Sequence, residues 1–176
     1  MRPADLTPVA RDVLKLPAGV GLIFFSLLGA FLLQVLPWSG TWLLARPDFV
    51  LVVLLFWTIH EPRSIGQGIA FALGLLVDVS DSMLLGQHAL AYVIAVFGAQ
   101  IFRVRILTFH IPEQTLHLLP ITLLAASVML GLNLLLGADF PGLAFLVSPV
   151  LTALCWGPVS WLLYSAPVRR RREGAS

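Results

Sequence analysis

The side chains able to do chemistry are few and far apart: Gln34, Arg46, Asp48, Asp78, Asp81, His88 and Asn133 interrupt stretches that are otherwise almost wholly apolar. Asp78 and Asp81 stand three residues apart, so a helix continuing through them would put both carboxylates on one face. Two carboxylates without further ligands make a poor dedicated cation site. His60, His110 and His117 are too dispersed to complete a zinc site with His88. No metal and no cofactor is expected. The Gly-x-Ser-x-Gly elbow, the His-Glu-x-x-His pair and the Gly-x-x-x-x-Gly-Lys loop are all missing from the sequence, so no enzyme is expected either. Three uses remain for the polar set: a structural ion pair with interhelical hydrogen bonds, a pocket for a small molecule or ion, or a polar collar that receives another protein.

The elements that must position these residues follow from composition. Hydrophobic residues make up 59% of the 176 and charged residues 11%, against about 45 to 50% and about 25% in a soluble domain. That excludes disorder, which needs low hydrophobicity and high net charge. The lone Cys155 excludes a disulfide framework. An all-α, polytopic membrane protein is the class that remains. Six apolar runs are visible, at Gly19 to Leu36, Phe49 to Ile59, Ile65 to Val77, Ala89 to Phe102, Leu116 to Leu136 and Leu143 to Tyr164. The first exceeds the roughly 7 to 15 apolar residues of a signal core and reads as a retained span. The chain is expected to be one transmembrane domain over 1–176, with cytoplasmic segments at 1–17 and 167–176.

Lys and Arg set orientation because they resist translocation. With the amino terminus inside, Arg2, Arg11, Lys15, Arg63, Arg103, Arg105 and Arg169 to Arg172 all lie on the inner side, and of the 11 basic residues only Arg46 lies outside. Both termini are then cytoplasmic, and Asp48, Asp78, Asp81 and Asp139 fall at or near the outer surface. A hydrocarbon core of about 30 Å takes roughly 20 helical residues, so the run Phe49 to Ile59 needs help from Trp42 to Asp48. Pro47 disfavours helix at Arg46, which predicts a broken segment and an outward-facing cavity there. Pairing of Arg46 with Asp78 or Asp48 is the expected way to neutralise the outer charges.

Small residues at every fourth position allow close helix approach. Gly66, Ala70 and Gly74 form such a row and lead to Asp78. Ser26 and Ala30 lead to Gln34, and Ala99, Ala95 and Ala91 lead to Gln87. The linker from Arg103 to Pro112 mixes basic and apolar residues and predicts either a short interfacial helix or a docking segment. Trp38, Trp42, Trp57, Trp156 and Trp161 are read as an interfacial belt, and Pro149 and Pro158 as kinks in the last span. Arg103, Arg105, Arg169, Arg170, Arg171 and Arg172 are read as cytoplasmic anchors with affinity for anionic lipid.

The order of these features resembles the MreD family of rod shape-determining membrane proteins. The resemblance lies in Pro37-Trp38 after the first span, Arg46-Pro47-Asp48 before an apolar run to Trp57, and Gly74-Leu75-Leu76-Val77-Asp78 followed by Leu85-Gly86. It marks Arg46, Pro47, Asp48, Gly74 and Asp78 as family-like positions, whereas Asp81-Ser82 departs from the Ser-Gly turn usual there. The resemblance implies a non-enzymatic inner-membrane component of the bacterial elongation machinery that supports lateral peptidoglycan synthesis. It implies MreC as the direct partner, MreB, RodA and a class B penicillin-binding transpeptidase in the same complex, membrane lipids around it, and no nucleic acid. It also implies a fold like the six-helix substrate-binding subunits of energy-coupling-factor transporters. A substrate-binding subunit for a vitamin-like molecule is the competing reading.

Overall fold

In the computed structural model, residues 19–37, 46–82 and 84–173 are described, with side chains described through Ser165. The expectations for Arg2, Arg11, Lys15, Trp38, Trp42 and the side chains of Arg169 to Arg172 lie outside the described residues. Among the described residues seven α-helices follow in order: α1 (Val20–Val35), α2 (Phe49–His60), α3 (Gln67–Ser80), α4 (Gln87–Leu107), α5 (Ile111–Leu135), α6 (Val147–Leu154) and α7 (Trp156–Glu173), with a 3-10 turn at Gly142–Leu146 before α6. Among the same residues three stretches are long and apolar enough to cross a membrane, namely Gln87–Leu107, Ile111–Leu135 and Gly142–Ser165 taken through its breaks; α1, α2 and α3 are shorter apolar helices.

Helix α2 is the centre of the bundle. Every residue from Val50 to Ile59 is buried, as an all-round apolar helix requires. Its 12 residues span only about 18 Å, and the backbone of Arg46, Pro47 and Asp48 is non-helical before it, as Pro47 predicts. Around α2 stand α1, α4, α6 and α7, while α3 and α4 form the most extensively packed pair and α5 covers α4 from the other side.

The alanine row of α4 is spent on this packing: Ala91, Ala95 and Ala99 are fully buried. On α3 the small residues divide. Ala70 and Gly74 are buried, and a Cβ on Gly74 would stand 2.4 Å from the Ala89 Cα. Gly66 is the N-cap of α3, and a Cβ there would meet nothing within 4 Å. The row therefore starts at Ala70 rather than Gly66, because the helix has not begun at Gly66.

Two further expectations are corrected. The linker after the fourth apolar run is no separate interfacial helix, since α4 continues through Arg103 and Arg105 to Leu107 and α5 begins at Ile111. Pro112 occupies the first turn of α5, where its missing N–H costs nothing. The belt reading fails for two tryptophans: Trp57 is 3% and Trp156 0% exposed. The Trp57 indole donates to Ser26 Oγ at 2.8 Å and that of Trp156 to Gln114 Oε1 at 3.0 Å, so both N–H groups are satisfied inside the bundle. The last span does break, at Cys155 between α6 and α7, where Pro158 offers no N–H to the Leu154 carbonyl.

Candidate functional site

The C-terminal ends of α1 and α3 meet the N-terminal ends of α2, α4 and α6 in one layer, and the polar residues converge there. Asp48 is the N-cap of α2, accepting from the Leu51 N–H at 2.9 Å. The Tyr92 hydroxyl of α4 donates to the same carboxylate, 2.7 and 2.8 Å from its two oxygens. The Asp48 N–H donates to Thr152 Oγ1 at 2.8 Å, Thr152 donates to the Ser148 carbonyl, and Ser148 Oγ donates to the Arg46 carbonyl at 2.7 Å. The irregular stretch before α2 is thus held by α6, as non-helical backbone at membrane depth requires.

Asp78 serves a different helix. The N-cap of α4 is Gly86, with φ of +99°, a conformation glycine adopts without strain but one that leaves no side chain to cap the helix. Asp78 supplies the cap from α3. It accepts from the Gly86 N–H at 2.8 Å, the His88 N–H at 2.9 Å and the Ala89 N–H at 3.4 Å. A carboxylate on the open N–H groups of a helix start is favoured by both hydrogen bonding and the helix dipole. Gly74 lies one turn earlier on α3, and its bare Cα against Ala89 lets Asp78 come so close. His88 Nδ1 lies 2.8 Å from Asp78 Oδ1 and donates to it, which fixes the ring's orientation.

The expected pairing of Arg46 with Asp78 or Asp48 is corrected. The Arg46 guanidinium forms a two-pronged pair with Asp81, one nitrogen standing 3.2 Å from Oδ1 and the other on Oδ2, and it also donates to the Gln34 carbonyl at 3.2 Å. Asp78 and Asp48 are already saturated by backbone and hydroxyl donors, so Asp81 at the end of α3 is the carboxylate left for the cation. Gln34 Oε1 accepts from the Phe49 N–H at 3.1 Å. One connected path thus runs from Asp81 through Arg46 and Gln34 to Asp48 and Tyr92; the Tyr92 ring lies edge-on to His88, 5.9 Å between centroids, and His88 leads to Asp78.

Of the sequence-derived set, Gln34, Arg46, Asp48, Asp78, Asp81 and His88 come together here. Asn133 does not: its carbonyl accepts at the end of α5 from the Leu136 and Ala138 N–H groups, and its side chain joins none of the bonds above. Tyr92, Ser148 and Thr152 complete the layer. Tyr92 follows His88 by four residues and Thr152 follows Ser148 by four, a spacing that places each pair on one helix face. Two grooves outlined among the described residues lie away from Arg46, between α1 and α3 and between α4 and α5.

The layer is nearly sealed, with Asp78 fully buried and Gln34 2% exposed. No cluster of three potential metal ligands occurs among the described residues. A His–Asp pair activates a nucleophile only when one sits on the other ring nitrogen, and among the described residues none bonds His88 Nε2. Apolar helices throughout the described residues, three stretches of them long enough to cross a membrane, define the makeup of an integral membrane protein.

A family model described as rod shape-determining protein MreD matches residues 16–164. Over 69 residues the chain is 36% identical to the rod shape-determining protein MreD of Haemophilus influenzae, and that match spans 39% of this chain and 41% of that protein. No solved structure matches the chain significantly. The chain belongs to the MreD family.

Proposed function

We propose that this chain is a non-enzymatic platform of the bacterial elongation complex in the inner membrane. It is one six-crossing domain over 1–176 with both termini cytoplasmic, segments 1–17 and 167–176 lying inside. Its fold is read as like that of the six-helix substrate-binding subunits of energy-coupling-factor transporters. MreC is the direct partner, with MreB, RodA and a class B penicillin-binding transpeptidase in the same assembly, and lateral peptidoglycan synthesis is the process supported. The polar layer faces outward and fixes the ends of the helices that partners grip.

The observation that carries this reading is the closure of the layer. Arg46, Asp48, Asp78 and Asp81 all spend their charges on one another's elements, which suits a rigid scaffold. The α3 row is likewise spent inside, with Ala70 fully buried and Gly74 against Ala89, so an MreC helix would dock on outward faces such as that of α1, where Phe24, Phe25 and Leu32 are exposed.

Photocrosslinking from positions 25, 32 and 97 in growing cells tests it. Adducts with MreC from at least one face, and loss of rod shape on depletion, are expected. Copurification with energising ATPase subunits instead of MreC would overturn the platform in favour of the transporter reading.

A further inference from the structure

The helices α4 and α5 diverge around a groove of about 310 Å³, floored by Phe102, Pro120, Ile121 and Leu124 and edged by Arg105 and His117. Gly98 also lines it, and a Cβ there would meet nothing within 4 Å. The wall is apolar and the mouth, beside the turn from α4 to α5, is basic. Arg105 is exposed and makes no ion pair among the described residues. His117 stacks on Phe109 with centroids 4.4 Å apart, and its Nδ1 donates to the Glu113 carbonyl at 2.9 Å. Its Nε2 has no partner among the described residues. The nearest acid, Glu113, reaches back to the His110 N–H at 3.3 Å.

We propose that this groove is a site for one anionic phospholipid, an acyl chain lying along Phe102 and Leu124 and its phosphate held by Arg105 beside the His117 ring. Size selects a chain over a helix: one turn of helix about 10 Å across and 5.4 Å tall occupies roughly 400 Å³ before any neighbouring turn is counted. Charge selects the headgroup, since a cationic mouth over an apolar floor matches an anion at the end of a hydrocarbon. The α1–α3 groove is the internal contrast. It is of similar volume, about 320 Å³, but apart from Ser64 the described residues lining it are apolar and none is a cation.

Native mass spectrometry of the purified full chain, titrated with phosphatidylglycerol or phosphatidylcholine, tests the site. Preferential retention of phosphatidylglycerol is expected. Arg105→Gln should weaken that retention about fivefold, the factor a single basic residue supplies at an anionic surface, and Gly98→Leu should block the chain while the open space at residue 98 spares the fold. Equal retention of the two lipids, or retention unchanged in both variants, overturns the proposal. Phosphatidylglycerol carrying a diazirine on its acyl chain should label Phe102, Ile121 or Leu124; labelling confined to the α1–α3 groove, or capture of a partner helix at the α4–α5 groove, would overturn it too.

Discussion

At the polar end of the bundle, Asp78 alone accepts four hydrogen bonds, and Asp48 ties α2 to α4. At the opposite end the ties are single: Arg103 Nε donates to the Ile59 carbonyl at 2.6 Å, and His60 bonds the Tyr164 hydroxyl. There, Arg63 and Arg105 make no ion pair among the described residues. The contrast teaches how a membrane bundle divides its labour. Buried charges must be saturated at one end because the helices there are short and broken. Basic residues at the other end keep their charge free for lipid or partners.

The largest effect tests the saturated end directly. Asp78→Ala strips the cap from α4 and the partner from His88, leaving several buried donors unmet. The expected cost is about 3 to 5 kcal/mol, read as unfolding of the detergent-solubilised protein, with Asp78→Asn falling between it and the wild type. A loss below about 1 kcal/mol would mean that water reaches the layer. Next comes Gly74→Ala, whose methyl must displace the Ala89 backbone. It should cost about 1 to 3 kcal/mol, while Gly66→Ala stays within about 0.5 kcal/mol; equal losses would sink the assignment of Gly74 to the α3–α4 contact.

A sharper test concerns the cation. Exchanging Arg46 and Asp81 should recover about 1 to 2 kcal/mol relative to the sum of the single replacements, whereas exchanging Arg46 with Asp78 should recover none. Rescue by the second exchange and not the first would restore the pairing that sequence alone suggests.

That pairing shows where the sequence stops being legible. Charge count and apolar periodicity were enough to place Gln34, Arg46, Asp48, Asp78 and His88 at one end, because each sits where an apolar run begins or ends. They pointed to Asp48 or Asp78 and passed over Asp81, since the choice depends on which backbone N–H groups are open after Gly86 adopts its positive φ. Trp57 and Trp156 were misplaced for a related reason. An interfacial tryptophan and a buried one look alike until a partner such as Ser26 or Gln114 is brought within reach from another helix. Asn133 marks the converse error, a polar residue near a span end that serves only its own helix terminus.

The smallest effect belongs to the basic end, and it decides whether the two ends differ in kind. Arg103 lies on α4, and its Nε caps a carbonyl in the last turn of α2 while the rest of its guanidinium is only partly covered. Arg103→Met keeps much of the stem's apolar contact and removes one charge-assisted bond at a solvated edge. Water can replace that donor, so the loss should be about 1 kcal/mol or less, measured in the same unfolding assay. If Arg103→Met instead costs as much as Asp78→Ala, the Ile59 carbonyl is closed to solvent. The basic end would then be a second lock and not the free surface that the α4–α5 groove requires.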